Sequence, residues 1–217
     1  MAKGTDFGGV HSSRDLHLIQ QTVDIQPAKP KLNLINVPGA DGSVDMSELP
    51  AGRVVYGDRV LTWTYALYPG DDWHAKHRQV SNILNGRRCE ITLDGDDGYY
   101  YTGRVTVKKY KTDMLLRQIT VEATCSPWML KRYLTVVESD LHTDFIAITM
   151  PNEKKPAVPV IEVTVPATLR WGDMTVDIVA GIFTSLDIEL REGDNVLEAK
   201  TTNGAGRITI TYQEGSL

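Results

Sequence analysis

The sequence predicts a mainly β protein: a β-rich, barrel- or sandwich-like first unit with one α-helix, followed by an antiparallel β-sandwich. Three observations predict it. From Val54 to Tyr68 side chains suited to strands fall on two alternating faces, Val60, Thr62, Thr64 and Ala66 against Leu61, Trp63, Tyr65 and Leu67. Polar, glycine-rich turns separate such runs at Pro38 to Ser43 and at Asp94 to Gly98. Helical spacing of apolar residues occurs in one window, at about residues 72–84.

The elements follow in order. Phe7-Gly8-Gly9-Val10-His11-Ser12-Ser13 reads as a turn, and Leu16, Leu18, Val23 and Ile25 as a strand from Leu16 to Ile25. After Pro27 and Pro30 comes the run Lys31 to Val37, the turn at Pro38 to Ser43, and the long strand, which with two apolar or aromatic faces should be central. Pro69-Gly70-Asp71-Asp72 offers a helix N-cap and Gly86 a stop. Between them Trp73, His77, Val80 and Leu84 form the stripe that packs the helix on the sheet. Strands at Glu90 to Leu93, Tyr99 to Val107 and Leu116 to Thr124 follow, and the first unit closes near Pro127-Trp128.

Pro151-Asn-Glu-Lys-Lys-Pro-Ala-Val-Pro159 marks a change of composition. The expected division is therefore 1–134, a linker or long connection over 135–158, and a second unit over 159–217. In that unit Ile161/Val163/Val165, Leu186/Ile188/Leu190 and Ile208/Ile210/Tyr212 alternate with polar residues. Turns are expected at Gly172-Asp173, Gly193-Asp194-Asn195 and Asn203-Gly204. These are the marks of a small antiparallel sandwich.

Composition narrows function. With 41% hydrophobic residues in 217 the chain can bury a real core, and a net charge of -5 with thinly spread Lys and Arg disfavours a nucleic-acid binder. The densest basic patch, Lys108, Lys109 and Lys111 around Tyr110, reads as an edge strand protected by lysines. The amino terminus has no apolar signal region and no window approaches the roughly 18 apolar residues of a membrane span, so the expectation is synthesis in a cytoplasm, no signal peptide and no membrane insertion. Cys89 and Cys125 are too few for a disulfide scaffold and are read as buried thiols, possible neighbours in one sheet.

The chemical inventory is thin, and no catalytic, cofactor or metal residues are assigned. Asp71, Asp72, His74 and His77 have imidazole and carboxylate on one helix, but lack a third ligand by motif; one packed and one solvated histidine is the preferred reading, and a hydrolase built on them the weakest. Asp94-Gly-Asp96-Asp97-Gly98 has its glycine one place too early for a calcium loop, with Val105 where a bidentate Glu belongs, so it is a hairpin turn. Ser12, Ser13 and Ser126 lack a nucleophile elbow, and the glycines form no phosphate-binding fingerprint. Trp171-Gly172-Asp173 is the one candidate for glycan contact through Trp171, although a galectin-type site would need Glu where Met174 stands and a His-x-Asn-x-Arg strand that is missing. A carbohydrate- or surface-binding sandwich is the alternative function.

The order of these elements resembles the distal tail proteins of long, non-contractile-tailed bacteriophages and prophages. The resemblance rests on Phe7-Gly8-Gly9-Val10-His11-Ser12-Ser13, Val37-Pro-Gly-Ala-Asp-Gly-Ser-Val-Asp45, Tyr56-Gly-Asp-Arg-Val-Leu-Thr-Trp63, Leu84-Asn-Gly86, Tyr99-Tyr-Tyr-Thr-Gly103, Ala123-Thr-Cys-Ser-Pro-Trp128, Arg191-Glu-Gly193-Asp-Asn195-Val196 and Ile208-Thr-Ile-Thr-Tyr212. It implies a first domain forming a homohexameric ring and a galectin-like second domain. The ring would join the tail tube protein to a tail-associated baseplate or fibre protein at the virion tail tip, with double-stranded DNA as passing cargo. The resemblance implies no enzyme and no cofactor. The acidic balance of the chain would suit a lumen through which DNA slides. A second unit this compact leaves little room for a receptor-binding insertion.

Overall fold

A computed structural model describes residues 3–49, 51–112, 117–202 and 204–217, with backbone alone for 109–112. The chain divides into two compact units, Met1–Met129 and Leu130–Leu217.

The first unit holds β1 (Thr5–Phe7), β2 (Leu18–Ile25), β3 (Leu34–Asn36), β4 (Ser43–Asp45), β5 (Arg59–Leu67), α1 (Trp73–Leu84), β6 (Arg88–Leu93), β7 (Tyr99–Thr112) and β8 (Arg117–Cys125). Strands β1, β6, β7, β8, β5 and β2 lie side by side in that order, antiparallel throughout. β5 is flanked on both sides, as its two faces predict. Arg59, Leu61, Trp63, Tyr65 and Leu67 are buried, while Val60, Thr62, Thr64 and Ala66 on the other face are half-buried. The strand starts at Arg59 rather than Val54, and Tyr56 meets Pro30 only in an isolated bridge. Phe7 meets Trp63 edge-on, ring centroids 5.0 Å apart, inside a core completed by Leu16, Leu18, Val80, Leu84, Ile91 and Val121.

The helix begins where its sequence says. Asp72 caps it, its carboxylate accepting from His74 N at 2.9 Å and Ala75 N at 3.3 Å. Trp73, Val80 and Leu84 are the buried stripe, with His77 half-buried and His74 exposed. At the other end Gly86 turns left-handed (φ 80°) and donates to Val105 O on β7 at 2.8 Å.

The second unit is entered through β9 (Met129–Lys131) and contains β10 (Thr135–Leu141), β11 (Ile146–Asn152), β12 (Val160–Val163), β13 (Ala167–Trp171), β14 (Met174–Ile178), β15 (Gly181–Phe183), β16 (Gly193–Thr201), β17 (Gly206–Tyr212) and β18 (Gly215–Ser216). Two four-stranded antiparallel sheets, β10-β17-β12-β15 and β11-β16-β13-β14, contribute to a core of Leu141, Met150, Ile161, Leu169, Leu197, Ile208 and Ile210. The expected linker over 135–158 therefore needs correction: 135–152 carries β10 and β11, one strand for each sheet. Ile146, Ile148 and Met150 alternate inward, and Pro151 is tolerated because β11 lies at a sheet edge. Only 153–159, with Pro156 and Pro159, is connection.

Two further expectations change. Leu186 to Leu190 is not a strand: Ser185 opens a turn in which its Oγ accepts from Asp187 N at 3.2 Å, Ile188 and Leu190 point into the core, and Leu190 bridges Ala157 alone. Gly193-Asp194-Asn195 opens β16 instead of a simple turn. Asn195 stitches the entry by accepting from Arg191 N at 2.9 Å and donating to Arg191 O at 2.8 Å and Gly193 O at 3.0 Å. Gly172-Asp173 is the expected two-residue turn, between Trp171 and Met174, which face each other in register. Of the turn at Asn203-Gly204, Asn203 lies outside the described residues.

Candidate functional site

The residues with chemical promise serve local structure. Asp72 is spent on the helix cap; His77 Nε2 lies 3.4 Å from Ser81 Oγ and its ring 6.1 Å from that of Trp73. Asp94 in the β6–β7 turn accepts from Gly4 N at 2.7 Å and pairs with His11 Nε2 at 3.2 Å, tying down the start of the chain. Ser12 is fully buried and accepts from Thr5 N at 2.9 Å. Among the described residues no group of three or more His, Cys, Asp or Glu is placed to hold a metal ion. Lys108 pairs with Glu122 at 2.9 Å, and the side chains of Lys109 and Lys111 lie outside the described residues.

Cys89 and Cys125 do share the sheet. Each lies opposite Gly103 in register, one on either side, and Arg59 completes the row beyond Cys125. Two strand spacings put their Cα atoms roughly 10 Å apart, beyond disulfide reach, and both are free thiols. Gly103 is required there: a Cβ would stand 2.6 Å from Thr124 O and against Cys125 Sγ. Burial pushes the Cys125 thiol up to about 12, with Cys89 adding to the rise, so it is held protonated and unreactive.

Trp171 is half-buried at the end of β13 and packs against the second core, so its ring is engaged from within the sandwich. The aromatic face on the same sheet's outer side is taken by charge: the Arg170 guanidinium lies 4.0 Å and the Lys200 ammonium 4.7 Å from the Phe145 ring centre, and Arg170 pairs with Glu198 at 2.8 Å.

The feature without a local purpose is the β3–β4 hairpin. Ile35 faces Val44 in register, Leu34 and Leu32 lie on the opposite face, and all are exposed: Leu32 at 63%, Leu34 and Val44 at 52%, Ile35 at 44%. Val37 and, a few residues past β4, Leu49 are exposed as well. Beside the strand ladder it is fastened by Ser43 Oγ to Asn36 Oδ1 (2.6 Å), Met46 N to Asn33 O (2.9 Å) and Asn33 N to Ser47 Oγ (2.7 Å), with Lys31 N to Val55 O (2.7 Å) at its base. Two strands alone are marginal in water, and apolar residues on both faces have no reason to be there unless something covers them. The run Lys31 to Val37 alone does not disclose this. The available signal was that Leu34 and Ile35 are adjacent apolar residues in a strand too short to be a core element.

Charge is also segregated. The first unit's sequence has fifteen Lys and Arg against fifteen Asp and Glu, and the second has eight against thirteen, so the acidic excess lies entirely beyond residue 129. The first unit, which the resemblance would make the ring, thus carries none of the acidic balance expected to suit a lumen through which DNA slides.

The fold is that of a mainly β protein with one helix and several antiparallel sheets. No family model matches the chain, and no curated protein sequence matches it. Among solved structures it is similar to the SPP1 Dit (gp 19.1) protein, whose crystal structure is described as a paradigm of the hub adsorption apparatus in phages infecting Gram-positive bacteria. The likeness has a TM-score of 0.71 and covers 100% of both chains at 14% sequence identity. No helix among the described residues is long and apolar enough to cross a membrane.

Proposed function

We propose that this chain is a structural, non-enzymatic component of a phage tail tip. Six copies close into a ring through their first units, join the tail tube to a baseplate or fibre protein, and leave a passage for double-stranded DNA. The observation that carries the reading is the β3–β4 hairpin, whose two exposed apolar faces fit a head-to-tail contact between copies, the kind of contact that closes rings. Likeness to a hub protein over the full length of both chains supports it. Equal numbers of acidic and basic residues in the first unit suit a ring that neither grips nor repels a passing polyanion.

The test is sedimentation velocity at several concentrations, with negative-stain images of the same sample, on the natural chain and on an Ile35→Asp, Val37→Asp double variant. The expected outcome is six-subunit particles with a central hole for the natural chain, and folded monomers for the variant with thermal stability changed by no more than about 0.5 kcal/mol. A natural chain that stays monomeric both alone and with a tail tube protein present sinks the reading.

A further inference from the structure

The first unit's sheet has one face on the core and one turned away from it, and the second face carries an unexplained pairing of like charges. Arg88 on β6 lies directly opposite Arg104 on β7, and Thr124 on β8 lies opposite Arg104 from the other side. Thr102 and Thr106, two residues either side of Arg104, project from the same face. Directly opposed side chains in an antiparallel pair have Cβ atoms about 5 Å apart, and like charges so placed destabilise the sheet. Neither guanidinium takes part in an ion pair among the described residues. Arg104 Nη1 is held by Gly86 O at 2.6 Å, which fixes the stem and leaves the rest of the fork free.

These groups line a cleft of about 460 Å³, to which Asp58 adds the one carboxylate. Two guanidiniums and four hydroxyls, those of Thr102, Thr106, Thr124 and Ser126, line it as donors, the set that recognises a tetrahedral oxyanion. With Asp58 the cleft carries a formal charge of one positive unit. Asp58 repels the second negative charge of a dianion, and so biases the cleft toward a singly charged phosphate. We propose that this cleft binds a singly charged phosphate oxyanion, either a phosphodiester of a nucleic-acid backbone or free monobasic phosphate. One such site is too small a footprint for tight nucleic-acid binding, in keeping with the thinly spread basic residues elsewhere.

The experiment uses the full chain titrated with dimethyl phosphate, a permanent monoanion, followed by phosphorus NMR and calorimetry. Arg88→Gln, Arg104→Gln and Asp58→Asn variants are run beside it, with circular dichroism to verify folding. The expected result is one saturable site per chain, weakened at least tenfold in either arginine variant. Asp58→Asn, which does not depend on the arginine variants folding, should tighten binding and let inorganic phosphate bind as a dianion at pH 8. Absence of saturable binding, or affinities unchanged by Asp58→Asn or by both arginine variants, overturns the site. A 20-base-pair duplex then separates the sources. Displacement of the diester, with a salt slope lowered by about 1 in Arg88→Gln, assigns the site to the backbone phosphate of DNA; a duplex that displaces nothing assigns it to the free ion.

Discussion

The two units solve the same problem, covering an antiparallel sheet, with different materials. The first fills its core with large aromatics, Phe7, Trp63, Tyr65 and Trp73, and brings in a helix to close one face. The second packs sheet residues that are mostly aliphatic, Leu169, Ile161, Leu197, Ile208 and Ile210, and among its described residues uses no helix. Their surfaces differ as much. The first is charge-balanced and displays most of its exposed apolar residues on or beside a hairpin; the second is acidic, and its exposed Val179, Ile182 and Leu186 stand at or beside the edge strand β15. The difference teaches that the acidic character of the whole chain says nothing about the unit with the apolar arm.

The sharpest way to break the comparison is Trp63→Ala. Removing a fully buried indole should cost the first unit about 4 kcal/mol, read as loss of its transition in calorimetry while the second unit still melts separately. The mirror experiment, Ile210→Ala, should cost the second unit about 3 kcal/mol and leave the first unit's transition in place. Loss of both transitions from either substitution would show one cooperative body. Asp72→Ala removes the helix cap and should lower the first unit's stability by about 1 kcal/mol in denaturant titration, with no effect on the second.

The smallest effect belongs to Glu214. Burial works against its carboxylate, but hydrogen bonds from Lys131 (2.8 Å) and Thr135 outweigh it and hold its pKa below the ordinary 4.5. A depressed carboxylate stabilises the folded state above its unfolded pKa, and that contribution is lost as the pH falls through the folded value. Melting from pH 6 to pH 3 should show the second unit of Glu214→Gln already weaker at pH 6, and losing less than the natural chain below about pH 4.5. Equal acid sensitivity in both proteins would remove Glu214 as a contributor.

What was legible in the sequence was what local rules decide. The cap at Asp72, the stripe Trp73/Val80/Leu84 and the stop at Gly86 define a helix without tertiary help, and the alternation of Arg59–Leu67 marks a central strand. What was illegible depends on partners distant in the chain. Ile146–Asn152 was hidden by the prolines that follow, although its alternation is regular. Leu186 to Leu190 imitates a strand because Ile188 and Leu190 are buried from an irregular segment. The cleft needs the register of β6 and β7, since only strand pairing sets Arg88 against Arg104, and β6 starts two residues before the Glu90 expected of it.

The β3–β4 hairpin has a consequence for the life of the free chain. Its strands are three residues each, and Pro38, Gly39, Asp41 and Gly42 fill the connection, features that discourage runaway edge pairing. They temper the hazard of six bared apolar side chains without removing it. Soluble yield should therefore fall as the chain accumulates faster than the hairpin finds its cover, and supplying that cover during synthesis should recover material that otherwise ends in inclusion bodies.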